Sequence, residues 1–226
     1  MPSAPGIERS DRLNNSPRPG MRSIPRLTHI HIVDFLQVTE PYRGFSMLLS
    51  LPAVLRTPRI TLRKPRTADI AVIFDAYAQD ADVVRYLLWR PHRAIADTEA
   101  FIAYCIEEWD SGRSRPYVLA HQGNEDAAIG MLEASLHAHM IDIGYVLQRK
   151  YWGAGLMSEA VRAVSEAALA LPHCFRVQAS CDTENRASAR TLEKAGFMLE
   201  GKLSRHLVLP NLAEEPRQSL MYARCK

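Results

Sequence analysis

Ile141-Asp-Ile-Gly-Tyr-Val-Leu147 is followed after two residues by Lys150-Tyr-Trp-Gly153-Ala-Gly155-Leu-Met-Ser-Glu-Ala160, and the reading of this stretch decides the fold. The first segment reads as a strand. The second opens a helix from Gly155 to Leu171, with Leu156, Ala160, Ala163, Val164 and Ala167 on one face and Pro172 as its stop. Two glycines at a helix entrance let the backbone come close to a ligand. The unpaired N–H groups there, with the positive end of the helix dipole, make a seat for phosphate. The plainer alternative is an ordinary strand-to-helix turn that needs glycine only for its geometry.

The order of elements around this stretch sets the class. Upstream, Ala128–Ser135 and Ile141–Leu147 are strands joined by a short polar link, an antiparallel hairpin. Tyr117–His121 is a strand before it, with a turn at Gly123-Asn124. Downstream, Phe175–Cys181 is a strand reached by crossover, Asn185–Ala195 a helix stopped by Gly196, and Phe197–Leu209 and Ser219–Arg224 are closing strands. Ahead of all these come a strand at Arg59–Arg63 and a helix from Thr67 or Asp69 carrying Ile70, Ile73, Phe74 and Tyr77. A short helical turn at Val83–Trp89 and a helix at Asp97–Ser111 follow. Early helices, an antiparallel meander and one crossover helix to a parallel strand define an α+β, or mixed α/β, single domain.

Composition narrows the function. The chain has 226 residues, 47% hydrophobic and 23% charged, which suits a globular soluble protein. A formal net charge of +3 is too small to imply direct nucleic-acid binding. Cys105, Cys174, Cys181 and Cys225 form no CxxC pair and read as reduced thiols of a cytoplasmic protein. No apolar run approaches the ~20 residues of a membrane helix. Residues 1–56 differ from the rest: 1–26 are rich in Pro, Arg, Ser and Asn and read as disordered, and 29–38 alternate weakly as a short strand. Two readings account for this segment, a poorly ordered extension or a mis-called start with Met47 as the true one. The organisation expected is therefore an extension at 1–56 and one domain at 57–226.

Which phosphate ligand the turn takes is decided further along. Gly153-Ala-Gly155-Leu-Met-Ser158 is a dinucleotide fingerprint with its last glycine replaced, and Asp182 ends the next strand where a ribose-binding acid belongs. But the motif follows an antiparallel hairpin two-thirds along the chain instead of opening a parallel series. A P-loop is excluded because no Gly-Lys-Ser/Thr follows. The second constellation is Asn185-Arg-Ala-Ser188-Ala-Arg-Thr-Leu-Glu193-Lys194-Ala-Gly196-Phe197-Met-Leu-Glu200-Gly201. Together with Lys150–Glu159 it resembles the GNAT superfamily of acetyl-CoA-dependent N-acetyltransferases, in the branch of ribosomal-protein N-terminal acetyltransferases (RimJ/RimL-like). His206-Leu-Val-Leu-Pro-Asn, Glu215-Pro-Arg-Gln-Ser-Leu-Met-Tyr222 and Trp89-Arg-Pro-His92 also look like this branch. The resemblance runs from about residue 58 to the chain end.

The resemblance implies an acyl-CoA N-acyltransferase fold, a central, mostly antiparallel sheet splayed at one strand and flanked by helices. It implies acetyl-CoA as co-substrate, no metal, an amine acceptor (a peptide N-terminus or a small molecule), and no membrane; it leaves room for a homodimer. Lys150 stands where the branch has Arg or Gln. The N–H groups of Gly153, Ala154, Gly155, Leu156 and Met157 would cradle the diphosphate. Val146 and Leu147, at the end of a splayed strand, would bond the pantetheine arm and the thioester oxyanion. Asn185 would bond the pantetheine, or cap its helix, or both. Glu133 and Asp142 are candidate bases, each with a surface carboxylate as the plainer alternative. Ser188 is a candidate acid toward the departing thiolate, or a small packing residue. Many members place a Tyr acid where this chain has Leu192, which leaves that role without its usual residue. Trp89, His92 and Tyr151 are candidates for lining the acceptor cleft; His137 and His139 have no third ligand nearby. A non-catalytic acetyl-CoA sensor and a nicotinamide-linked enzyme stand as rival readings.

Overall fold

The computed structural model describes residues 49–226. In chain order the elements are β1 (Val54–Arg56), β2 (Ile60–Arg63), α1 (Asp69–Ile73) running into a π-helical turn at Phe74–Ala78, α2 (Ala81–Val84), α3 (Ile95–Ser111), β3 (Ser114–His121), β4 (Asn124–Leu136), β5 (Met140–Leu147), a 3-10 turn at Arg149–Tyr151, α4 (Leu156–Ala170), β6 (Arg176–Asp182), α5 (Arg186–Lys194), β7 (Met198–Leu207) and β8 (Arg217–Cys225). Among the described residues the strands form one sheet in the order β1-β2-β3-β4-β5-β6-β8-β7, in which only β5 and β6 run parallel. This is the mixed, mostly antiparallel sheet expected from the sequence.

Period-2 alternation decides which helices cover which face. Leu119 and Leu132 point to one side, where they meet Leu156, Val161 and Val164 of α4 and Leu192 of α5. Their neighbours Val118 and Met131 point to the other, against Ile73 and Tyr77 of the α1 region and Ile102 of α3. The sheet is thus packed on both faces.

Local chemistry explains the shifted boundaries. The α3 helix starts at Ile95, ahead of Asp97, because the Asp97 carboxylate reaches back to accept from the Arg93 and Ala94 N–H groups at 2.8 and 3.1 Å. The helical turn read at Val83–Trp89 starts and stops earlier, at Ala81–Val84, because Asp80 caps it through the N–H groups of Asp82 and Val83.

The domain also begins before residue 57. Leu49 and Leu51 are buried in the core, the Tyr117 hydroxyl donates to the Pro52 carbonyl at 2.5 Å, and Val54–Arg56 pairs with β2. Residues 49–56 therefore belong to the folded body rather than to an extension. The expectations for residues 1–48, including the strand at 29–38 and the start at Met47, lie outside the described residues. Among the described residues no helix is long and apolar enough to cross a membrane.

Candidate active site

The site begins where two parallel strands part. β5 pairs with β6 only at Met140–Arg176, Ile141–Val177 and Asp142–Gln178. Beyond that rung β5 stays on β4 as far as Leu147, and β6 stays on β8 as far as Asp182. Each strand is held by its outer neighbour, so the fork between them is built and braced from both sides. The Gln178 side-chain amide donates to Asp142 Oδ1 at 2.7 Å and pins the vertex. On the β4 side the register slips by one residue at Ile129, and the Ile129 carbonyl accepts from the Gln148 N–H at 2.9 Å, just past the end of β5.

The loop after β5 carries the glycine motif. Trp152 Nε1 donates to the Leu147 carbonyl at 2.7 Å and ties the turn to the strand end. Gly153 and Gly155 both stand at φ +77°, in the left-handed region that disfavours any side chain. α4 starts at Leu156, so the Leu156, Met157 and Ser158 N–H groups lie in its unpaired first turn. Arg59 grips the same loop. Its Nη1 donates to the Ala154 carbonyl at 2.9 Å, while its backbone N–H and Nε bond the Glu159 carboxylate at 3.1 and 2.6 Å. Lys150 is exposed, its ammonium 5.0 Å from the Tyr151 ring centre.

The expected chemical residues fall into distinct settings. Glu133 lies cross-strand from Gly144, where an added Cβ would meet nothing within 4 Å. Burial pushes the Glu133 pKa up, the neighbouring Glu108 charge adds to this, and the Ser114 hydroxyl tempers it. Asp142 is differently placed: beyond its bond from Gln178, its Oδ2 lies 2.9 Å from His137 Nε2. The Asn185 side-chain oxygen accepts from the Ser188 N–H at 3.1 Å and caps α5, leaving its NH2 end without a protein partner among the described residues. Ser188 Oγ lies 2.7 Å from the Tyr145 hydroxyl, which reaches across from β5. Cys181 is buried beside them, and burial first of all, with Ser188 working against it, pushes its thiol up to about 11.

Other candidates have partners of their own. Trp89 packs against His92 and Phe101 at 4.9 and 6.2 Å between ring centres, and His92 Nδ1 is 2.7 Å from Thr98 Oγ1. Tyr151 sits edge-on to His121 at 5.0 Å. Among the described residues no group of three or more His, Cys, Asp or Glu is placed to hold a metal. Arg59, Tyr145 and Trp152 join the site without any local sequence pattern that marks them. The partners of Arg59 lie 95 and 100 residues along the chain, and no local pattern announces such a contact.

A sheet forked between the parallel strands β5 and β6, with a glycine turn and a helix start at the mouth, is the architecture of the acyl-CoA N-acyltransferases. The chain belongs to the acetyltransferase (GNAT) domain family, whose pattern residues 59–198 match, and is an acetyl-CoA-dependent N-acetyltransferase of that family. It is similar to the uncharacterized N-acetyltransferase YnaD of Bacillus subtilis (strain 168), 26% identical over 149 residues that cover 65% of this chain and 84% of the relative. In fold it is similar to a GNAT-family acetyltransferase from Bacillus anthracis, with TM-score 0.66 and 24% identity over 76% of this chain and 98% of the other. It is also similar in fold to RimL, a ribosomal L7/L12 α-N-protein acetyltransferase crystallised with coenzyme A, with TM-score 0.66 and 18% identity over 76% and 97% of the two chains.

Proposed function

We propose that the β5–β6 fork takes the thioester arm of acetyl-CoA and that the acetyl group passes directly to a primary amine. The carrying observation is the ladder that stops at Asp142–Gln178 while both strands continue. The N–H groups of 153–157 hold the diphosphate, and the backbone of Val146 and Leu147 pairs with the pantetheine amides. The Asn185 NH2 group donates to the same arm. The amine nitrogen attacks the thioester carbonyl carbon, an N–H at the strand end steadies the oxyanion, and collapse breaks the C–S bond.

Glu133 takes the amine proton, directly or through water; its raised pKa brings it nearer to that of an α-amine, about 8. Ser188 donates to the departing sulfur. Asp142, held by Gln178 and His137, serves the vertex of the fork rather than the chemistry. The buried, poorly ionised Cys181 argues against a covalent acetyl-enzyme.

The acceptor is a peptide N-terminus. The fold likeness to RimL, an α-N-protein acetyltransferase, supports this, and free amines such as polyamines are the alternative. Two measurements test the reading. Acetyl-CoA, and not NADH, raises the melting temperature. Thiol release from acetyl-CoA then follows addition of peptides with free N-termini; release with polyamines alone would move the acceptor to small molecules, and binding without release would leave a sensor.

A further inference from the structure

We propose that Arg59 is the positioning residue of the diphosphate seat, a role that rests on the 153–157 loop holding that diphosphate. Arg59 precedes β2, yet it binds both the loop and the helix that follows it: the Ala154 carbonyl through Nη1 at 2.9 Å and the Glu159 carboxylate in the first turn of α4 through its backbone N–H and Nε at 3.1 and 2.6 Å. A trans peptide points its C=O and N–H in opposite directions. With the Ala154 carbonyl drawn to the guanidinium, the Gly155 N–H of the same peptide is turned the opposite way, toward the helix mouth. Without that hold the Ala154–Gly155 peptide is free to rotate, and a carbonyl dipole facing an incoming anion replaces a donor.

The second half of the role is electrostatic. Glu159 stands in the first turn of α4, one turn from the seat, where its negative charge repels a diphosphate. Arg59 pairs with that carboxylate at 2.6 Å and cancels the repulsion. Its side chain is 49% exposed, so the guanidinium keeps contact with water and with whatever enters the loop. A fold-stabilising role alone does not require the bond to a loop carbonyl. Neither the glycine motif nor the 185–201 constellation assigns Arg59 anything.

The test compares a ligand with the diphosphate and one without it. The Kd of coenzyme A is measured by calorimetry, and that of S-acetylpantetheine by ligand-observed NMR, on the full chain. Arg59→Ala weakens coenzyme A about tenfold, the scale of a lost charge-assisted bond, and S-acetylpantetheine much less. Arg59→Lys, which keeps the charge but lacks the planar fork that bridges both partners, falls between. Adding Glu159→Gln to Arg59→Ala restores part of the loss, because the unpaired carboxylate goes with it. Equal weakening of both ligands, or an unchanged Kd for coenzyme A, overturns the role of Arg59. A wild-type protein that binds no coenzyme A overturns the seat itself, and is recognised before any substitution is made.

Discussion

The Val146 carbonyl oxygen stands 2.4 Å from where a Cβ on Gly130 would lie, with Leu147 Cα at 3.1 Å. The splayed end of β5 is seated on β4 only because position 130 has no side chain. Gly130→Ala forces the strand end off its neighbour at a cost of about 1–3 kcal/mol, the range of core overpacking, and weakens acetyl-CoA through the displaced Val146 and Leu147. Gly144→Ala, with nothing within 4 Å, is the control and leaves stability within about 0.5 kcal/mol. Thermal melts and coenzyme A calorimetry on both variants check this.

Glu133 links pH to both rate and stability. Burial raises its pKa, so the folded protein holds this proton more tightly than the unfolded chain does. The stability it contributes is present at low pH and is lost as pH rises through the raised folded value. Above that value the wild type carries a partly buried charge that Glu133→Gln lacks. The variant therefore melts higher than the wild type at pH values above that point, while its turnover drops about 100-fold and the acidic limb of the pH–rate profile disappears. A variant with the wild-type profile would remove Glu133 from the chemistry.

The hydroxyl pair at the fork separates two roles. Ser188→Ala lowers kcat about tenfold with KM for acetyl-CoA unchanged, corresponding to about 1.4 kcal/mol in the barrier. Tyr145→Phe keeps the Ser188 hydroxyl but removes its partner 2.7 Å away, so kcat falls less and stability drops by about 1 kcal/mol. If Tyr145→Phe proves the more damaging in kcat, the proton donor is the phenol.

Gly155→Asp tests the seat from within. Position 155 tolerates Asp better than most residues at φ +77°, and Arg59 Nη2 lies 3.7 Å from the new Cβ, ready to hold the carboxylate. The variant folds but shows no coenzyme A-induced rise in melting temperature. A retained rise would place the diphosphate elsewhere.

Much of this architecture was legible in the sequence, for identifiable reasons. The hairpin around 137–139, the glycine turn and the α4 face are written in local periodicity and in glycine, which period-2 and helical patterns expose directly. The three residues of β1 are too few to show a period, and Leu49 and Leu51 take their core places through contacts with distant strands. Asp142 and Glu133 read alike as strand carboxylates. Only the fold shows that one is bonded to Gln178 and His137 and the other faces Gly144. Arg59 reads as a polar strand flank because its partners lie 95 and 100 residues along the chain.

The most direct measurement is a crystal structure of the protein with coenzyme A. The diphosphate oxygens are expected within about 3.2 Å of the 153–157 N–H groups, and the pantetheine amides bonded to β5 near Val146 and Leu147, inside the fork. A β5–β6 ladder that continues past Asp142–Gln178 and shuts the fork, with the cofactor bound elsewhere, would contradict this placement.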